Sequence, residues 1–145
     1  MEIFTIGFTK RTAADFFGTL RRAGVKRLLD VRLNNSSQLA GFSKRDDLAY
    51  FLREICGAGY VHELLLAPTQ ELLDRYKKNG GTWQDYERGF LALMRDRRIE
   101  ELIERQLFEV PTVLLCSEPA AECCHRRLVA EYLRETWGGL TVKHL

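Results

Sequence analysis

Several things are missing from this 145-residue chain, and each absence narrows the field. It contains no internal repeat and no low-complexity tract. No apolar run approaches the roughly 20 residues that span a bilayer. Met1-Glu2-Ile3-Phe4 leads directly into a strand pattern instead of a signal peptide, so a cytoplasmic location and no membrane partner are expected. There are four cysteines, Cys56, Cys116, Cys123 and Cys124, with no C-x-x-C spacing. That is too few for a disulfide scaffold and points to reduced thiols. Charge of one sign is also lacking: 22 Lys and Arg face 20 Asp and Glu, for a net charge of +2. This argues against a non-specific nucleic-acid binder, which carries a basic stripe, but leaves room for a local basic pocket. No glycine-rich phosphate loop is found, which disfavours ATP-type hydrolysis.

What is present is a foldable pattern. Hydrophobic residues make up 46% of the chain, enough for a core, and the length suits one domain over 1–145. Ile3 to Gly7 reads as a first strand. Thr12 to Asp15 resembles a capping box opening a helix that Gly24 stops. Lys26 to Arg32 is a second strand. A polar loop from Leu33 to Phe42 follows, long enough to suggest a functional role. A helix capped around Ser43 closes at Gly57, and Tyr60 to Leu64 is a third strand. Helices over Thr69 to Lys78 and after Thr82 precede the apolar strand Thr112 to Cys116. From about Pro119 to Trp137 the spacing predicts a helix, and Leu140 to Lys143 a last strand. Strands alternating with helices predict an α/β fold with a mostly parallel five-stranded sheet flanked by helices, a Rossmann-like three-layer arrangement.

In a parallel sheet the carboxyl ends of the strands share one edge, where ligands bind. Most chemically capable residues fall there. Gly7 and Thr9 end the first strand, Asp30 and Arg32 the second with Ser36 in the loop beyond, and Cys116, Ser117 and Glu118 the fourth. Cys124, His125 and Arg126 open the following helix, and His144 follows the fifth strand. Asp30, Arg32, Cys116, Glu118, Cys124, His125 and His144 are therefore expected to share one pocket. Asp30 and Arg32, at a strand end, read as functional or mutually paired. Cys124, near a helix start, is expected to be the more reactive of the adjacent thiols, because the helix dipole favours a thiolate. Cys123, rotated by about 100° on the helix, faces elsewhere. Cys56 and His62 read as a packing and a surface residue.

Ile6-Gly7-Phe8-Thr9, Asp30-Val31-Arg32, Leu115-Cys116-Ser117-Glu118, Cys124-His125-Arg126 and the terminal Val142-Lys143-His144 together resemble the domain of unknown function 488 family. Two positions depart from its pattern: Phe8 stands where many members carry His, and Leu65-Leu66-Ala67-Pro68 where many carry Leu-Gly-Gly. The resemblance implies a fold and a site; it implies no particular reaction.

The leading functional reading is an enzyme acting on a small anionic or nucleotide-like ligand. Cys116 or Cys124 would serve as nucleophile, Glu118 and His125 would move protons, and Arg32 and Arg126 would hold the anion. The alternative is a non-catalytic nucleotide or nucleic-acid binding module. Behind both stands a zinc site, disfavoured because consecutive Cys124 and His125 diverge on a helix. No metal and no cofactor is assigned from the sequence, and oligomeric state is left open.

Overall fold

The computed structural model describes residues 1–35, 41–118 and 121–145. Ser36, an expected ligand contact, and half of the polar loop after the second strand lie outside the described residues.

Five parallel strands form one sheet: β1 (Glu2–Gly7), β2 (Arg27–Asp30), β3 (Gly59–His62), β4 (Thr112–Cys116) and β5 (Thr141–His144). Their order is β3-β2-β4-β1-β5. β4 thus lies between β1 and β2, so the order departs from the 3-2-1-4-5-6 of the doubly wound dinucleotide-binding sheet, and the Rossmann likeness goes no further than layers and direction. Gly7 pairs with Cys116, and Asp30 with Leu115 and His62, so the carboxyl ends of β1 to β4 lie at one edge of the sheet.

Strand alternation divides the core into two layers. Phe4, Ile6, Leu28, Val113 and Leu115 face Phe16, Phe17 and Leu20 of α1 (Ala13–Arg22) and Leu48 of α2 (Arg45–Phe51), which continues as a π-helical turn to Cys56. Ile3, Leu29, Leu114 and Cys116 face the other layer. That layer holds α3 (Gln70–Lys77), α4 (Trp83–Arg97), the single turn α5 (Ile99–Leu102) and α6 (His125–Trp137). Each fully buried Leu or Phe in these layers contributes about 1.5–3 kcal/mol of transfer free energy.

The helix starts follow the sequence. The side-chain oxygens of Thr12, Thr69 and Thr82 accept from the amides of Asp15, Leu72 and Asp85, satisfying otherwise orphaned donors. On α4, Tyr86, Phe90 and Met94 recur every four residues and form the buried stripe. No helix among the described residues is long and apolar enough to cross a membrane.

Several boundaries differ from expectation: β5 runs Thr141–His144, one residue later than read, and α2 has Lys44, not Ser43, as its N-cap, with no side-chain capping bond; three others have a visible cause. β2 ends at Asp30, because Arg32 turns its own amide and side chain back onto that carboxylate. β3 ends at His62, and the Glu63 carboxylate then caps a 3₁₀ turn at Leu65. The largest difference is at α6, which begins at His125 and not near Pro119. Cys124 is its N-cap, with extended backbone at φ −141° and ψ 139°. Here Arg126 Nη1 donates to the Glu118 carbonyl at 2.5 Å, holding the turn after β4 across the end of β1 before the helix starts.

Candidate functional site

The site is built around the end of β4. Alternation along that strand directs Cys116 toward the α4–α6 layer, and the chain returns at Cys124 and His125. Because Cys124 is extended and His125 is the first helical residue, the 100° divergence expected of helical neighbours does not apply. Their side chains converge: Cys116 Sγ, Cys124 Sγ and a ring nitrogen of His125 all lie within 4.8 Å of one another, and all three residues are buried. His125 Nδ1 is 3.4 Å from Cys116 Sγ. Nε2 lies 2.8 Å from the Val31 carbonyl, which only accepts, so Nε2 carries the hydrogen and a neutral ring presents its lone pair at Nδ1. Phe90 packs against the imidazole, with ring centroids 5.3 Å apart.

The electrostatics separate the thiols. Cys116 is held below the ordinary thiol range, chiefly by the hydrogen bond from Cys124; burial opposes this, and the backbone at Ser117 and Glu118 and the charge of Arg126 reinforce it. Cys124 is pushed well above that range, first by burial and then by its neighbour Cys116. This reverses the expectation for Cys124. Its thiol is 2% exposed and acts as a donor, whereas Cys123 is exposed. The helix dipole favours a thiolate, but desolvation outweighs it at a buried N-cap.

A cavity of about 220 Å³ opens on this cluster. Cys116, Cys124 and His125 line its inner end together with Arg32; Tyr76, Trp83 and Tyr86 contribute an aromatic wall, and Lys77 and Glu118 a charged one. Tyr76, Trp83 and Tyr86 are in mutual contact, with Trp83 stacked on Tyr86 at 5.3 Å. Burial holds the Tyr86 hydroxyl protonated far above its usual range. Lys77 Nζ lies 2.7 Å from Glu118 Oε1, with both side chains substantially exposed. Burial lowers the Lys77 ammonium, but Glu118 more than offsets this and leaves it raised. Such an exposed pair contributes about 0–1 kcal/mol, so a ligand can displace it cheaply.

The other expected contacts take supporting places. Asp30, fully buried, accepts from Arg32 Nε at 2.8 Å and Nη2 at 2.7 Å, and from the Tyr60 hydroxyl at 2.6 Å. Arg32 also donates to the Ser43 carbonyl, and its guanidinium lies over the Phe8 ring, 5.2 Å from the centroid. Phe8 thus packs against the arginine. Arg32 is paired with Asp30, as expected of a buried guanidinium, while its Nη1 is buried without a hydrogen-bond partner among the described residues. Asn35 bridges Tyr60 and His62, and His62 donates to the Arg32 carbonyl at 2.7 Å. His62 is thus a half-buried member of this network and not a surface residue.

Gly7 and Thr9 are absent from the cavity lining and hold the turn above it. A Cβ on Gly7 would sit 1.6 Å from the Glu118 carbonyl oxygen, so only glycine lets that turn cross β1. The Thr9 amide and hydroxyl both donate to the Ser117 carbonyl. Arg126 is buried on the same side and bonds the Glu118 carbonyl outside the cavity lining. His144 does not join the cluster. It is exposed on edge strand β5, with β1 between it and Cys116, and its Nδ1 is 2.5 Å from Thr5 Oγ1. The aromatic wall and Lys77 were not legible as site residues, because they lie some 30–45 positions before the motif and no spacing rule links α3 and α4 to it.

A five-stranded parallel three-layer α/β protein with two thiols and an imidazole gathered at the sheet's carboxyl edge is the class these features define. Within it, the chain belongs to the family described as Domain of unknown function DUF488, whose model matches residues 12–133. The first motif, around Gly7, and the terminal His144 lie outside the matched residues. No curated protein and no solved structure matches the chain.

Proposed function

We propose that this protein is an enzyme acting on a small, nucleotide-like anionic ligand whose reacting end meets Cys116, Cys124 and His125. The observation that carries the reading is the cavity itself, which is lined by a buried thiol–imidazole cluster, an aromatic wall and a displaceable cation. A flat ring fits against Tyr76 and Trp83, where stacking contributes about 1–3 kcal/mol per base in nucleic-acid sites. The anionic end meets Lys77 and Arg32: Arg32 holds Asp30 through Nε and Nη2, but its Nη1 is buried without a hydrogen-bond partner among the described residues, whereas Arg126 lies outside the cavity lining. Glu118, once released from Lys77, is the group placed to move a proton at the rim. The cavity is smaller than the roughly 300–1,000 Å³ of drug-sized sites, which favours a single ring over a dinucleotide.

The test is a panel of nucleobases, nucleosides and nucleoside monophosphates, followed by thermal shift for binding and by mass spectrometry for turnover. One class should be both bound and consumed. Trp83→Ala or Lys77→Ala should weaken binding by about tenfold, equivalent to about 1.4 kcal/mol. Cys116→Ala should abolish turnover. Tight binding without turnover, indifferent to Cys116→Ala, would instead identify a non-catalytic binding module.

A further inference from the structure

We infer that Cys116, Cys124 and His125 form a zinc site whose remaining coordination position opens into the cavity. The inference deepens the enzymatic reading and rests on the same pocket. Tetrahedral zinc, with Zn–S of about 2.3 Å and Zn–N of about 2.0–2.1 Å, holds its ligand atoms about 3.5–3.8 Å apart. The three donor atoms here already lie within 4.8 Å of one another, and one pair is at 3.4 Å, so small side-chain rotations suffice without backbone movement.

Three further features point the same way. The first is the histidine tautomer. Nε2–H is directed to the Val31 carbonyl, which fixes the ring and leaves Nδ1 as the ligand atom; metal-bound histidines are habitually oriented by such an outer hydrogen bond. The second is the backbone. The extended N-cap conformation of Cys124 is what lets two consecutive residues aim at one point, and α6 gives no side-chain capping bond there in return. The third is charge. Two thiolates and a divalent zinc ion are together neutral, which suits a site where all three residues are buried, whereas two buried thiolates alone are not tolerable.

Structural zinc sites are closed by four protein ligands, while catalytic ones keep three and leave a position for water or substrate. Among the described residues, the cluster has three, and Cys123 is not one of them although it lines the same cavity. The zinc would therefore present a Lewis-acidic position to whatever the aromatic wall holds, suited to polarising an oxygen or activating water. Two sulfurs and one imidazole select zinc over the hard cations magnesium and calcium.

The experiment uses the full chain, expressed in zinc-supplemented medium and desalted without chelator. Elemental analysis should find about one zinc per chain. Cys116→Ser, Cys124→Ser and His125→Ala should each lose most of it, and Cys123→Ser should keep it. Because a variant can lose metal by unfolding, the second measurement is made on wild type: metal-free protein titrated with Co²⁺ should develop a thiolate-to-cobalt charge-transfer band at one equivalent. Azide should then shift the visible cobalt bands by entering the open position. Absence of both zinc and the charge-transfer band overturns the site. Retention of zinc in Cys116→Ser with loss in Cys123→Ser overturns the ligand assignment, and cobalt bands indifferent to azide overturn the open position. Metal is measured without organic ligand, so the two readings fail separately. Turnover by zinc-free protein rejects the metal and keeps the enzyme, and a zinc-loaded protein that turns nothing over does the reverse.

Discussion

At the scale of single residues, two positions have consequences out of proportion to their chemistry. Gly7 is needed for space, since its neighbour across the turn is the Glu118 carbonyl oxygen, 1.6 Å from where a Cβ would stand. Gly7→Ala must push the β4–α6 turn off β1, breaking the register of the Thr9 and Arg126 hydrogen bonds to that turn. Overpacking of this kind costs about 1–3 kcal/mol, to be read as a lower urea midpoint at unchanged slope. The second position is Cys123. Reactivity requires access as well as thiolate character, and of the four thiols only Cys123 is exposed. Brief treatment of the metal-free native protein with iodoacetamide should label Cys123 first, in wild type and in Cys124→Ser alike. Peptide mapping that finds Cys124 labelled first would mean that the turn opens readily in solution.

At the scale of elements, the β4–α6 connection is where function competes with helix formation. Serine, threonine, aspartate or asparagine at an N-cap satisfies a free backbone amide, and replacing one by alanine costs about 0.5–2 kcal/mol. Cys124 occupies that position with no capping hydrogen bond, and its sulfur faces the cluster instead. A locally suboptimal residue at a site edge is the signature of a position kept for another reason. In metal-free protein, Cys124→Ser should therefore leave stability unchanged or raise it by up to about 1 kcal/mol, measured by chemical denaturation, while disabling the site. A loss of several kcal/mol would show that the sulfur's packing matters more than the cap.

At the scale of the whole molecule, the two layers do different work. The α1–α2 side is aromatic and aliphatic packing, with Phe16, Phe17, Phe42 and Phe51 in contact. The α3–α6 side covers the sheet but leaves the cavity between its helices and the strand ends. Its two tryptophans are separated accordingly: Trp83 lines the cavity, whereas Trp137 packs on Phe108 and donates to the Glu100 carbonyl. Trp137→Phe thus makes Trp83 the sole indole reporter. Its emission should change when a nucleotide-like ligand or a metal enters the cavity, and the corresponding Trp83→Phe protein, reporting from Trp137, should stay constant.

Period-2 and period-3.6 apolar patterns, threonine caps and helix-stop glycines are local features, set by backbone geometry within a few residues. The five strands, their parallel direction and the motif at the end of β4 were therefore readable from the chain alone. So was the single carboxyl edge on which the strand ends carrying Asp30 and Cys116 lie, because parallel strands share it. What only the tertiary structure decided is how those residues divide the work. The position of β4 between β1 and β2 brings His125, on the helix after β4, to the Val31 carbonyl just past β2 and strands His144 on the far edge. From the spacing alone, Asp30 and Arg32 read as functional or mutually paired; the structure pairs them through Nε and Nη2 and leaves Nη1 without a partner among the described residues. The late start of α6 turns Cys124 and His125 toward one point, against the divergence that a continuous helix dictates. Each of these depends on contacts between residues tens of positions apart, whose distances no local periodicity encodes.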